Sequence, residues 1–252
     1  MNIGELYTLN SASIGDKPAV IYKERVLSHQ AFEQRTNQLA QALYELGYRK
    51  GDRIAILSKN HIEYPVIIFA AAKIGVVFTP INYRMVGREI ISILNHCKPR
   101  GLFFSGEFMD RVDEIRDRVG VRDYFLFLEN EAEQFPSGKF LRLDEIIAGQ
   151  PGRKPDVAIE DDDTYYIGYT SGTTGKPKGA IVTHRSRYML AMIKGVEYGI
   201  RNDGIQLVAG PIYHSAPHGY LMTQLVLGGT AVIMKEFDAE EALRLIDRYR
   251  IT

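Results

Sequence analysis

The sequence of 252 residues holds a single cysteine, Cys97, and no excess of either charge. One cysteine excludes an intrachain disulfide, and its place on the apolar face of a helix-like segment predicts a buried structural thiol rather than a nucleophile. The 31 basic and 31 acidic side chains give a net charge of zero. The sequence therefore offers no electrostatic footprint for nucleic acid.

Long hydrophobic runs are also absent. The longest apolar stretch, residues 66–78, is interrupted by Lys73 and is shorter than the roughly 18 residues that a membrane span needs. The first residues lack the basic segment followed by an apolar segment that marks a secretory signal. We therefore expect a soluble, cytoplasmic protein without a transmembrane segment.

Strand-like and helix-like segments alternate along the chain. Ser28 is expected to cap a helix that runs to Leu46, and a short buried strand follows at residues 53–57. Asn60, with Glu63 three residues later, resembles a capping box at the start of the next helix. The alternation continues to residue 128 and predicts an α/β fold with a mostly parallel sheet.

A glycine- and hydroxyl-rich loop stands out between two β-prone runs at residues 164–184. Its glycines let successive backbone N–H groups turn toward one concavity, its hydroxyls add neutral donors, and Lys178 adds positive charge. Such a loop is suited to gripping a polyphosphate. The spacing of Gly172 and Gly175 does not fit a P-loop, and the spacing around Ser171 does not fit a hydrolase nucleophile elbow. The remaining alternative is a surface turn without function.

The segment Thr170–Gly179, which reads TSGTTGKPKG, resembles the phosphate-binding signature of the adenylate-forming superfamily, which includes acyl-CoA synthetases of the fatty-acid–CoA ligase type. The resemblance extends to residues 51–56, to residues 73–82 and to Thr183-His184. It implies phosphate contacts from Thr170, Ser171, Gly172, Thr173, Thr174, Gly175, Lys178 and Gly179.

The same resemblance implies an acyl site. The segment Gly210–His214 is similar to the family's second core motif, which places Tyr213 and His214 as substrate-binding residues and His214 as the catalytic residue near the substrate carboxylate. Pro217 stands where many relatives have glycine, which affects the shape of the acyl entrance. The competing interpretation is a metal pair of His214 and His218, but Pro217 disfavours the helix that such a pair needs and no third ligand is evident.

For the fold, the resemblance implies two interleaved αβαβα-type subdomains of the family's large N-terminal domain. Residues 51–195 would form the first, ending in the phosphate-binding loop, and residues 1–50 with 205–252 would form part of the second. The lysine-bearing C-terminal domain and the adenine and ribose motifs of relatives are not found, and the chain stops just after an amphipathic helix that Asp238 begins. We therefore expect a truncated N-terminal part that is inactive alone.

The implied reaction has two steps. A carboxylic acid, such as a medium- or long-chain fatty acid, attacks Mg²⁺-ATP to give an acyl adenylate, and the thiol of coenzyme A then takes the acyl group. The expected partners are the acid, ATP and CoA, with a homodimer left open and the metal ligands unknown. The alternative is a stand-alone nucleotide- or acyl-binding module without catalysis. A reading frame that continues past Thr252 would favour the ligase.

Overall fold

The computed structural model describes residues 2–129, 138–170 and 177–252, with Thr170 described by its backbone alone. In this part of the chain, helices and strands alternate as the sequence predicts. The helices are α1 (Ile3–Ser11), α2 (His29–Glu45), α3 (Glu63–Lys73), α4 (Gly87–Cys97), α5 (Met109–Ile115), α6 (Leu143–Ile147), α7 (His184–Glu197), α8 (Ser215–Val226) and α9 (Ala239–Tyr249). The strands are β1 (Pro18–Tyr22), β2 (Arg25–Ser28), β3 (Arg53–Leu57), β4 (Val77–Ile81), β5 (Gly101–Ser105), β6 (Asp123–Phe127), β7 (Leu141–Arg142), β8 (Thr164–Thr170), β9 (Lys178–Thr183), β10 (Ile205–Val208) and β11 (Thr230–Ile233).

The strands form two sheets. The larger has the order β7-β6-β5-β3-β4-β8-β9 and is parallel except for the antiparallel pair β8–β9. The smaller has the order β10-β11-β1-β2. In it, β1 pairs in parallel with β11, although the two strands lie near opposite ends of the sequence. Two sheets whose strands alternate with helices along the chain confirm the predicted α/β class.

Two hydrophobic clusters hold these layers together. One cluster joins apolar residues of both sheets with those of α1, α2, α3 and α8. The other fills the opposite face of the larger sheet beneath α4 and α5, and it contains Cys97. The Cys97 thiol is buried, and burial raises its pKa to about 11, so the structural role predicted for it fits its surroundings.

Helix α2 begins as the sequence predicts, because the Ser28 hydroxyl accepts a hydrogen bond from the Ala31 N–H. Gly47 follows the helix with a φ of 86°, a conformation that costs glycine little. Leu46, the residue that ends this helix, is exposed.

The capping box predicted at Asn60 and Glu63 is wrong. Helix α3 begins after Ile62 without a side-chain cap from Asn60, and the His61 ring accepts the Glu63 N–H at 3.2 Å. The Glu63 carboxylate instead receives Arg35 at 2.8 Å. The Asn60 side chain points toward the smaller sheet, where it has a different use.

Candidate active site

A cleft of about 280 Å³ opens where strands of both sheets end. Asn60 and Tyr83 follow the carboxyl ends of β3 and β4, whereas the segments 209–214 and 235–237 follow β10 and β11. Ligands commonly bind outside the carboxyl ends of parallel strands, because loops from neighbouring strands converge there. This arrangement makes the cleft the leading candidate for a binding site.

Tyr213 and His214 both lie beside this cleft. The Tyr213 ring packs edge-on against Tyr83 at 5.3 Å between ring centroids, and the His214 ring lies 4.3 Å from it. Burial raises the pKa of the Tyr213 hydroxyl, which therefore stays neutral. His214 itself is exposed and forms part of the cleft wall.

Asn60 fixes the segment that carries these two residues. Its side-chain amide donates to the carbonyl oxygens of Gly210 and Met234, both at 2.9 Å, and its oxygen accepts the Ile212 N–H at 2.8 Å. The side chain is 3% exposed, so these bonds replace solvent entirely. The single side chain of Asn60 therefore connects the segment after β3 with the loops after β10 and β11.

Ion pairs border the cleft on its far side. Lys59 Nζ lies 2.6 Å from Glu236, and Lys235 Nζ lies 3.3 Å from Glu107. The hydrogen bond from Lys59 is the main cause that lowers the pKa of Glu236. Each pair joins a positive and a negative charge, so the four side chains add polarity to the border without adding net charge.

The glycine-rich segment connects β8 to β9. Ser171, Gly172, Thr173, Thr174 and Gly175 lie outside the described residues. The backbone of Thr170 pairs with that of Lys178, and Tyr169 pairs with Gly179, so the two ends of the segment are antiparallel neighbours. The Lys178 side chain is exposed.

Close packing explains the glycine at position 179. A Cβ built there would lie 2.7 Å from Cγ2 of Ile167 and 3.3 Å from Cζ of Tyr169. The Tyr169 hydroxyl in turn shares a hydrogen bond of 2.6 Å with Nδ1 of His96, at the end of α4. Tyr169 and Tyr213 both pack against the second hydrophobic cluster, which connects the base of the hairpin with the cleft.

The metal pair of His214 and His218 finds no support in the described part of the chain. His218 is 3% exposed and is enclosed by the rings of Phe78, Tyr165 and Tyr166. No group of three or more His, Cys, Asp or Glu residues among the described residues is arranged to hold a metal ion. A search of the same residues also finds no helix with the length and apolar character to cross a membrane.

Sequence reasoning missed several residues of this region. Tyr83 could have been found as the aromatic residue that directly follows the segment Pro80–Asn82 at the end of a buried strand. Asn60 was singled out for a different role, because a side chain that bonds to residues 150 positions away leaves no local pattern.

Comparison with known proteins places these features in context. A family profile described as AMP-binding enzyme matches residues 10–252. The feruloyl-CoA synthase of an Amycolatopsis species is 29% identical over 235 residues, covering 93% of this chain and 44% of that protein. The crotonobetaine/carnitine–CoA ligase of Salmonella agona is 28% identical over 262 residues, covering 100% of this chain and 50% of the relative.

Solved structures agree. The inhibitor-bound N-terminal domain of FACL13 from Mycobacterium tuberculosis has a TM-score of 0.86 at 27% identity, covering 99% of this chain and 61% of that one. A long-chain-fatty-acid-CoA ligase from Archaeoglobus fulgidus shares the fold with a TM-score of 0.90 at 22% identity, covering 100% and 50%. The chain spans about half the length of the curated relatives it matches. It belongs to the family of AMP-binding enzymes.

Proposed function

We propose that this chain supplies the phosphate- and acid-binding part of an ATP-dependent acid–thiol ligase. The observation that carries the proposal is the β8–β9 hairpin, whose ends at Thr170 and Lys178 are held together by backbone pairing around a glycine- and hydroxyl-rich segment. The relatives named above act as CoA ligases or synthases according to their names, which supports the same chemistry here.

In the proposed reaction, an acid carboxylate attacks the α-phosphate of ATP and expels pyrophosphate. A thiol, for which we propose coenzyme A, then attacks the acyl carbon of the adenylate, which forms the thioester and expels AMP. ATP would bring Mg²⁺ as its complex. The segment from Thr170 to Gly179 would hold the β- and γ-phosphates, with Lys178 offsetting the charge of the departing pyrophosphate. The exposure of Lys178 leaves its ammonium group free to approach a ligand from solvent.

Tyr213 and His214 are proposed to face the reacting carboxylate. The exposed His214 ring forms part of the cleft wall, and the half-buried Tyr213 ring packs against His214 and Tyr83, which also line the cleft. Both side chains can donate or accept hydrogen bonds. Asn60 would act as a positioning residue, since it fixes the backbone just before this pair, at Gly210 and Ile212. The chemical step thus relies on placement of the carboxylate beside the phosphate-binding hairpin.

We also propose the division into two interleaved subdomains, residues 51–195 and residues 1–50 with 205–252. The pairing of β1 with β11 supports it. Helix α2 adds a qualification, because its residues Phe32 and Leu39 share the first hydrophobic cluster with α3 of the larger sheet. The N-terminal 50 residues therefore bridge the two parts.

The test compares two lysines of one segment. In the whole protein as its gene encodes it, Lys178→Ala should weaken the use of ATP in adenylate formation by about one to two powers of ten, the effect of losing a charge-assisted contact to phosphate. Lys176→Ala is the matched control and should lose less. Lys178→Ala should leave thermal unfolding unchanged, because this exposed lysine contributes little to stability. Equal, near-wild-type ATP dependence in both variants would contradict the proposal.

The second candidate, a binding module without catalysis, predicts a different pattern. It requires ATP binding without acid-dependent release of pyrophosphate in the whole protein. For the 252-residue chain alone we expect no measurable acid-dependent release of pyrophosphate. Residues that act as a unit do not contribute additively to the rate, so part of the unit retains little of the activity. Turnover by this chain would show that the residues named here suffice for catalysis.

A further inference from the structure

A group of basic side chains lies in the seam between α7 and α8, apart from the cleft described above. Arg187 of α7 and His218 of α8 are each 3% exposed, and Lys194 is half-buried. We call these three residues the seam cluster. Buried cations normally have an acidic partner, because removing an ion from water without one is strongly unfavourable.

The cations of the seam cluster converge on one point of α8. A Cβ built on Gly219 would lie 3.1 Å from Nη1 of Arg187 and 3.2 Å from Nζ of Lys194. Both head groups therefore meet over the same backbone position, next to His218. Only a glycine leaves them this room.

No acidic residue in the described ranges offsets this charge. Nε of Arg187 and Nδ1 of His218 are buried without a hydrogen-bond partner among the described residues. The contacts that do exist are with aromatic faces: Arg187 lies 5.1 Å from the Tyr166 ring centroid, and Lys194 Nζ lies 3.6 Å from that of Tyr220. Cation–π attraction is weak compared with the desolvation of a guanidinium group.

The chemistry of His218 adds a donor. Burial, reinforced by Arg187 and Lys194, lowers the pKa of His218 well below its ordinary value, so the ring is neutral. Its Nε2 lies 3.4 Å from the Tyr165 hydroxyl. When that hydroxyl donates to Nε2, the ring hydrogen sits on Nδ1, which is then a buried donor without a partner among the described residues.

We propose that the seam cluster binds a second carboxylate of the acid substrate, and therefore that the acid is a short dicarboxylic acid. The inference rests on the proposed function for its link to catalysis. His214 and His218 are one helical turn apart, about 6 Å along the axis of α8. A chain of a few carbons spans that distance, with one carboxylate at Tyr213 and His214 and the other between Arg187 and Lys194.

A carboxylate fits this position better than a phosphate group. The planar guanidinium of Arg187 matches a carboxylate in two-point contact. The nucleotide phosphates already have a proposed place at the β8–β9 hairpin.

The first experiment compares glutarate with pentanoate, which differs from it by one carboxylate. Adenylate formation by the whole protein should show kcat/KM for glutarate above that for pentanoate. Arg187→Gln should reduce the glutarate value roughly ten- to hundred-fold and leave pentanoate unchanged, since only the diacid uses the guanidinium. Arg187→Lys should retain part of the preference. No preference in the wild type, or an equal loss for both acids, would overturn the inference.

The second experiment needs no turnover. Glutarate, and not pentanoate, should raise the thermal midpoint of the wild-type chain, and Arg187→Gln should abolish the shift. If the whole protein activates neither acid, the link from the seam cluster to catalysis fails, and this binding measurement alone decides whether the cluster binds a carboxylate; the proposed function is decided separately by the Lys178→Ala and Lys176→Ala variants. An absent shift in the wild type would overturn it. A carboxylate contributed by another part of the polypeptide would show itself as a lower midpoint of Arg187→Gln without any ligand.

Discussion

Lys73 and Arg187 are both buried cations, but of the two only Lys73 has a counter-ion among the described residues. Lys73 Nζ lies 2.6 Å from Oε1 of Glu33, 2.8 Å from Oδ1 of Asn37 and 3.0 Å from Oγ1 of Thr8. These three acceptors match the three hydrogens of an ammonium group. Arg187 has aromatic rings and other basic groups around it, and its Nε has no partner in the described part of the chain.

The difference separates a structural site from a binding site. The Lys73 network joins α1, α2 and α3 and is complete without any ligand. The seam cluster is incomplete, because its buried positive charge has no counter-ion among the described residues. Binding of an anion would compensate that charge. Polar residues that are fully paired stabilise the fold, whereas residues left open at functional sites lower stability for the sake of binding.

The largest expected effect comes from opening the complete network. Glu33→Ala leaves the ammonium of Lys73 buried with no counter-ion, which typically costs about 3–5 kcal/mol of unfolding free energy. Urea unfolding of the chain measures it. The double variant Glu33→Leu/Lys73→Met removes both charges and should recover most of the loss. A single variant as stable as the wild type would show that Lys73 is neutral or hydrated in the folded chain.

Asn60→Ala should have the next largest effect. It leaves the carbonyl oxygens of Gly210 and Met234 and the Ile212 N–H without their partner. Each buried polar group left unpaired lowers the free energy of unfolding by about 1–3 kcal/mol. In the whole protein the KM for the acid should rise as well, because Tyr213 and His214 lie on the released loop. Asn95→Ala, which removes one exposed hydrogen bond to Arg118, is the control. Similar stability of the two variants would remove the positioning role.

Acid should destabilise the chain through buried histidines. Burial lowers the pKa of His61 and of His184 to about 4, whereas histidine in the unfolded chain titrates near 6.5. Between these values the unfolded chain binds more protons, so the stability that is fully present above pH 6.5 is lost as pH falls toward 4. Each histidine contributes up to roughly 1.4 kcal/mol per pH unit. Unfolding at pH 7, 6 and 5 measures the slope, and His61→Gln should make it shallower; an unchanged slope would contradict the assignment.

Arg187→Met should have the smallest effect on stability, within about 1 kcal/mol of the wild type when no ligand is present. Replacing an unpaired buried cation with an apolar side chain of similar length removes a desolvation cost and retains packing. Urea unfolding beside the Glu33→Ala variant completes the comparison. A loss as large as that of Glu33→Ala would mean that Arg187 is structural after all.

The sequence predicted the order of elements well, because periodic burial and local caps such as Ser28 and Asp238 leave patterns within a few residues. Asn60 shows where this reasoning fails: its spacing to Glu63 satisfied a local rule, but the side chain bonds to loops after β10 and β11. The seam cluster was unpredictable for the same reason. Arg187 and His218 are on different helices, and only packing brings them together.

The place of β1 has a consequence for how the protein is made. Val20 of β1 pairs with Ala231 of β11, so β1 is synthesised long before its parallel neighbour. At typical rates of 5–20 residues per second, the ribosome takes on the order of ten to forty seconds to deliver β11. During that time β1 has only its hairpin partner β2, and the apolar side chains of Val20 and Tyr22 lack their final cover. The nascent segment around β1 therefore keeps apolar surface exposed until β11 has been synthesised.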